Sequence, residues 1–272
     1  MDSRIILSFP PESYFWHAKS QTMRFLRWLH TFYAALLFFF TFLMFFPAFI
    51  VLAQNERWHK YAYRLTRIWG WFYFFLAGIR VTIENHNQQP WSRPCVYVAN
   101  HFSYADIASI PLLTNDACFV GKQSIAKAPL FGYYFRSLHI TVNRASMRDR
   151  ARVLEESITA IKKGKSLIIF PEGGIRSDNP PYQARYLDGA FRAAIANGVP
   201  VVPVTLPNNW RVLPDDGKFL LLDHRIAIIV HQAIATDNLT EADVPALRDK
   251  VFAIIQQELL QRNKKYLSQP LA

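Results

Sequence analysis

The residues of this chain best suited to chemistry are a histidine and an aspartate five positions apart, His101 and Asp106. They stand in Asn100-His101-Phe102-Ser103-Tyr104-Ala105-Asp106, directly after the apolar run Val96-Tyr97-Val98-Ala99. In a continuous helix, at about 100° per residue, the two side chains would point well apart. They meet only if His101 lies in the turn before a helix and Asp106 in its first turn. Ser103 and Asp106 ahead of Ile107, Ile110 and Leu112 form the Ser-x-x-Asp pattern of a capping box, which puts the helix start at that place. A histidine folded back onto a carboxylate is a general base whose tautomer is fixed and whose cationic form is stabilised. Two ligands without a third do not make a metal site, so none is expected at this pair.

The elements that must position such a pair emerge after Arg80, where short β-rich runs alternate with amphipathic stretches. Strands are predicted at 95–99, 117–120, 139–142, 167–170, 201–205 and 225–230, and helices near 104–113, 148–163, 187–196 and 244–262. The second helix is the best signalled. Leu154, Ile158 and Ile161 recur at helical spacing, Ser146 with Asp149 caps the start, and Gly164 ends it. The fold class is therefore α/β, with a central mostly parallel or mixed sheet flanked by helices. Four polar residues stand close to strand ends: His101, Lys122, Arg144 and Glu172. Ligands of α/β sheets bind beyond the carboxyl ends of the strands, so parallel strands would gather these four on one edge.

The chain has 272 residues, of which 51% are hydrophobic and 15% aromatic, and many of its 22 Phe fall before position 80. No charged residue occurs between Arg27 and Glu56. That run is long enough to span a bilayer core of about 30 Å. A second apolar run, 68–79, is too short to span alone, and its Trp69, Trp71 and Tyr73 suit a membrane interface. Basic residues flank the first run on both sides, with Lys19, Arg24 and Arg27 before it and Arg57, Lys60, Arg64 and Arg67 after it. A helical hairpin that enters one leaflet and returns keeps all of them on one anionic face. This monotopic reading is preferred over a single crossing helix. The organisation read from the sequence is a membrane-associated helical region at 1–78 and an α/β domain at 79–272, with the membrane approached from its cytoplasmic face.

The formal net charge of +11 points to an anionic partner such as a phospholipid surface or a phosphorylated substrate. Nucleic acid is not expected, because there is no zinc-finger spacing, RNP-type motif or long basic run. Cys95 and Cys118 make no disulfide framework.

Taken in order, these blocks resemble the glycerolipid acyltransferase family that includes the 1-acyl-glycerol-3-phosphate acyltransferases. His101 to Asp106 is similar to its His-x4-Asp motif. Gly121-Lys122 with Pro129-Leu130-Phe131-Gly132 is similar to its second block, and Val142-Asn143-Arg144 sits where the family places an arginine. Phe170-Pro171-Glu172-Gly173 is similar to the glutamate-glycine block, and Val201-Val202-Pro203-Val204 to the last. The likeness runs from about Ile79 to Pro207. In one place the chain departs from the family's pattern. The family commonly reads Glu-Gly-Thr-Arg-Ser, whereas here Glu172-Gly173-Gly174-Ile175-Arg176-Ser177 moves the arginine along by one.

The resemblance implies acyl transfer from a thioester, acyl-CoA or acyl carrier protein, to a lysophospholipid hydroxyl, with no further cofactor. His101 would take the hydroxyl proton and Asp106 would orient the ring. Lys122, Arg144 and Arg176 would hold the acceptor phosphate. Glu172 would accept hydrogen bonds from acceptor hydroxyls, with Gly173 letting the backbone approach closely. There is no Gly-x-Ser-x-Gly elbow, which favours direct transfer without an acyl-enzyme. A different lysolipid acceptor, and a non-catalytic lipid-binding protein that keeps the fold, are the competing readings.

Overall fold

The computed structural model describes residues 12–87, 94–143 and 145–267. Two helices come first, α1 (Glu12–Ala53) and α2 (His59–Leu76). There follow β1 (Arg80–Asn85), β2 (Val96–Ala99), α3 (Tyr104–Ser109), β3 (Ala117–Lys122), α4 (Phe131–Leu138), β4 (Ile140–Val142), α5 (Met147–Lys162) and β5 (Ser166–Ile169). The chain continues through α6 (Gly189–Ile195), β6 (Val201–Thr205), α7 (Asn209–Val212), β7 (Arg225–Val230) and α8 (Val244–Leu267).

The strands form one sheet in the order β1-β7-β6-β2-β5-β3-β4. Every pairing is parallel except that of β6 with β7, so the sheet is mixed. β2, which leads into His101, is central, with Val98 opposite Ile169 on one side and Pro203 on the other. All four of its residues are buried, as an unbroken apolar run covered on both faces requires. β2, β3, β4, β5 and β6 all run the same way, so their carboxyl ends share one edge of the sheet.

Ser103 caps α3, with both halves of the capping box formed to Asp106. Ser146 caps α5 by accepting the Asp149 N–H at 3.1 Å. α5 buries Val153, Ser157 and Ile161, with Leu154 and Ile158 half-buried, so its apolar stripe is turned by one residue from the predicted one. β1 and α4 have no predicted counterpart. β1 is an edge strand with Arg80 and Glu84 along it, which hides its alternation. The α4 sequence, Phe-Gly-Tyr-Tyr-Phe, has weak helix propensity, and packing overrides it. Phe131 and Tyr134 lie against Phe42 and Phe49 of α1.

α1 and α2 lie side by side and close over the α4 side of the domain. Trp69 corrects the reading of α2: it is 6% exposed, and its indole N–H donates to Thr41 Oγ1 of α1 at 3.0 Å. Tyr63 donates its hydroxyl proton to the Leu138 carbonyl at 2.7 Å, tying α2 to α4. The outer faces are apolar: Phe25, Phe40 and Phe75 are 67%, 61% and 81% exposed.

Candidate active site

The pair read from the sequence meets in the turn between β2 and α3. His101 Nδ1 lies 3.0 Å from Asp106 Oδ2. A carboxylate only accepts, so Nδ1 carries the proton and Nε2 keeps its lone pair. The same Oδ2 accepts the backbone N–H groups of Phe102 and Ser103, each at 2.8 Å. Asp106 is thus both helix cap and imidazole partner. It is fully buried, and its Oδ1 has no hydrogen-bond partner among the described residues. The imidazole stacks on the Phe170 ring with centroids 4.2 Å apart and an interplanar angle of 18°.

Asn100 fixes the approach to this turn, a role the sequence did not disclose. Its amide donates to the Leu206 carbonyl at 3.0 Å and its oxygen accepts the Leu206 N–H at 2.8 Å, so the side chain joins the ends of β2 and β6. The available signal was a wholly polar side chain inside an apolar stretch, which must find partners when buried.

His101 opens onto a cavity of about 750 Å³ at the carboxyl edge of the sheet. Lys122, at the end of β3, lines it together with Gly173, Gly174 and Arg176 from the loop after β5. Gly173 has a φ of 74°, a conformation that glycine adopts without strain. Lys127, not anticipated from the sequence, lines the same cavity, and Asp215 is the one carboxylate in the described lining. Lys122, Lys127 and Arg176 are exposed and make no ion pair among the described residues. Arg144 lies outside the described residues.

Glu172 follows the end of β5, as expected, but its side chain turns inward. It is fully buried and does not line the cavity. Its Oε1 accepts the His101 N–H at 2.8 Å and its Oε2 the Ala184 N–H at 3.0 Å. Burial pushes its carboxyl up to about 7; the two backbone N–H bonds oppose the shift and the Asp106 charge adds to it. Both oxygens are therefore engaged behind the turn instead of facing an acceptor hydroxyl.

A second cavity, about 310 Å³ and almost wholly apolar, lies between α2, α3 and α4 and is lined in part by Phe38, Trp69 and Tyr73. Tyr104, Ile107, Phe119, Ile125 and Phe135 border both cavities. A cation-rimmed space of mixed lining, which holds His101, and an apolar space thus adjoin.

Fold and site together define an α/β domain with a buried histidine–aspartate pair at the carboxyl edge of its sheet. Residues 80–207 match the family model described as Acyltransferase. The chain is 31% identical to a 1-acyl-sn-glycerol-3-phosphate acyltransferase of Chlamydomonas reinhardtii, over 65% of this chain and 53% of that protein. It is 28% identical to a chloroplastic 1-acyl-sn-glycerol-3-phosphate acyltransferase of Brassica napus, over 68% of this chain and 54% of that protein. The chain spans about half the length of these relatives. The crystal structure of the 1-acyl-sn-glycerophosphate (LPA) acyltransferase PlsC from Thermotoga maritima superposes with a TM-score of 0.69 at 22% identity, covering 90% of this chain and 100% of that one. That likeness speaks for the fold.

Proposed function

We propose that this protein transfers a fatty acyl group from a thioester, acyl-CoA or acyl carrier protein, to the sn-2 hydroxyl of 1-acyl-glycerol-3-phosphate, forming phosphatidic acid. The observation that carries the reading is the His101–Asp106 pair at 3.0 Å, opening where a cation-rimmed cavity meets an apolar one. The acceptor hydroxyl gives its proton to His101 Nε2 as its oxygen attacks the thioester carbonyl. The tetrahedral intermediate collapses, the C–S bond breaks, and the imidazolium returns the proton to the leaving thiolate. Asp106 keeps the proton on Nδ1 and favours the transient cation. Lys122, Lys127 and Arg176 hold the acceptor phosphate, and the apolar cavity takes an acyl chain.

The names of the relatives support the acceptor, and the exposed aromatic face of α1 and α2 supports a lipid surface as its source. Contiguous apolar surface of this kind marks a membrane or partner contact. In this reading the two helices lie in one leaflet as a hairpin on the cytoplasmic face. Purified His101→Ala, assayed with 1-acyl-glycerol-3-phosphate and acyl-CoA, should lose roughly 10²–10⁴-fold in turnover, the range a general base contributes. Near wild-type turnover in that variant would sink the proposed base. Equal wild-type rates on acceptors with and without the phosphate monoester would sink the proposed acceptor.

A further inference from the structure

The turn that carries His101 is held in an uncommon way. Three successive backbone N–H groups, of His101, Phe102 and Ser103, all donate to carboxylates: the first to Glu172, the next two to Asp106. Successive N–H groups converging on one side make an anion-binding concavity, and here the protein fills it with its own side chains. None of the three is left for a developing oxyanion. Glu172 reaches the turn from the end of β5, two residues after Phe170, whose ring supports the imidazole. Its other oxygen secures Ala184, in the segment that leads to α6. One buried carboxylate therefore joins the end of β2, the end of β5 and the 177–188 loop.

We infer that Glu172 is a positioning residue that sets the main chain of His101, and does not bind the acceptor. This inference rests on the acyl-transfer reading for its kinetic consequence but not for its geometry. Two backbone donors need two acceptor atoms. A carboxylate supplies both, whereas a glutamine has one carbonyl oxygen and would turn its NH2 toward the remaining N–H. Glu172→Gln keeps the shape, loses one acceptor, and so releases either the His101 turn or the Ala184 loop. Displacing a base from its working geometry costs turnover and leaves substrate affinity alone.

The test uses the purified full chain in lipid vesicles. In Glu172→Gln, kcat falls roughly 10–10²-fold, while KM for 1-acyl-glycerol-3-phosphate and for acyl-CoA stays within about twofold of wild type. A raised acceptor KM with kcat retained would overturn the inference and restore Glu172 to the acceptor site. Hydrogen–deuterium exchange without substrate supplies the independent arm. The amides of His101 and Ala184 are protected in the wild type, and at least one of them loses protection in the variant. Unchanged protection at both amides overturns the inference. If the variant does not fold, the wild type decides alone, since a His101 amide that exchanges as fast as a free turn amide rules out the clamp. Should the wild type acylate no lysolipid, the functional reading fails while the exchange result still decides the role of Glu172.

Discussion

His101 and His139 are two histidines packed against aromatic rings at the same sheet, and they are built for opposite ends. His101 rests on Phe170 and gives its Nδ1 proton to Asp106, leaving Nε2 toward a cavity lined by Lys122 and Arg176. His139, half-buried, packs against the rings of Tyr63, Phe119, Tyr134 and Phe135, and its Nδ1 accepts the Phe119 backbone N–H at 3.2 Å. No carboxylate hydrogen-bonds it among the described residues. Burial, with the nearby His59 and Lys165 charges, pushes its pKa down to about 3. The partner at Nδ1 differs between the two: a carboxylate holds the proton on Nδ1 of His101 and leaves the Nε2 lone pair, whereas a donor N–H makes Nδ1 of His139 the acceptor.

The sharpest way to break that distinction is to change Asp106. Among the described residues its Oδ2 accepts three donors and its Oδ1 none. Asparagine can place its carbonyl oxygen at the Oδ2 position and its NH2 at the unpartnered one, keeping turn and tautomer but losing the charge. Asp106→Ala loses all three acceptor contacts and strands two backbone donors, at about 1–3 kcal/mol each. Steady-state kinetics should show roughly a 10³–10⁴-fold loss of kcat in Asp106→Ala and a smaller one, roughly 10²-fold, in Asp106→Asn. Equal losses in two folded variants would show that orientation and charge are not separate contributions at this site.

The histidine pair also shows how far the sequence could be read. The i, i+5 spacing after an apolar run, with Ser103 as cap, located the turn because those constraints are local. The order of the blocks placed Lys122, Gly173 and Arg176 at the cavity because the strands that carry them run parallel. The inward turn of Glu172 is not legible in the sequence, because its partners, the His101 N–H and the Ala184 N–H, belong to the backbone and leave no trace in residue type. The places of Lys127 and Asn100 are hidden in a similar way, because they depend on which distant segments lie beside them. α4 was invisible because its aromatic residues favour a strand until α1 packs on them.

A lysine sharpens the comparison at each ring. Near His139, Lys165 is engaged by His59 Nδ1 at 3.3 Å. Beside His101, Lys122 has no ion pair among the described residues and faces the cavity. A cation kept free at a cavity wall suits a charged ligand that arrives from solution or from a lipid surface. Lys122→Ala should raise KM for 1-acyl-glycerol-3-phosphate about tenfold, the loss of one charge-assisted contact of about 1.4 kcal/mol, with kcat little changed. An unchanged KM would remove Lys122 from the acceptor site and leave Lys127 and Arg176 to hold the phosphate.

The smallest effect tests the neutral histidine. His139 has a folded-state pKa of about 3, below the ordinary imidazole value near 6.5. Between those values the unfolded chain binds a proton that the folded chain excludes, so unfolding gains as pH falls. The stability that neutral His139 permits is complete above about pH 6.5 and declines below it, by at most about 1.4 kcal/mol per pH unit from this one group. Glutamine at this position keeps an acceptor for the Phe119 N–H and does not titrate. Denaturant unfolding of wild type and His139→Gln between pH 7 and pH 5 should give curves that converge toward the acid side, because only the wild type loses this contribution while the carboxylates act equally in both. Parallel curves would mean that His139 takes its proton inside the fold, so that burial does not hold this ring neutral.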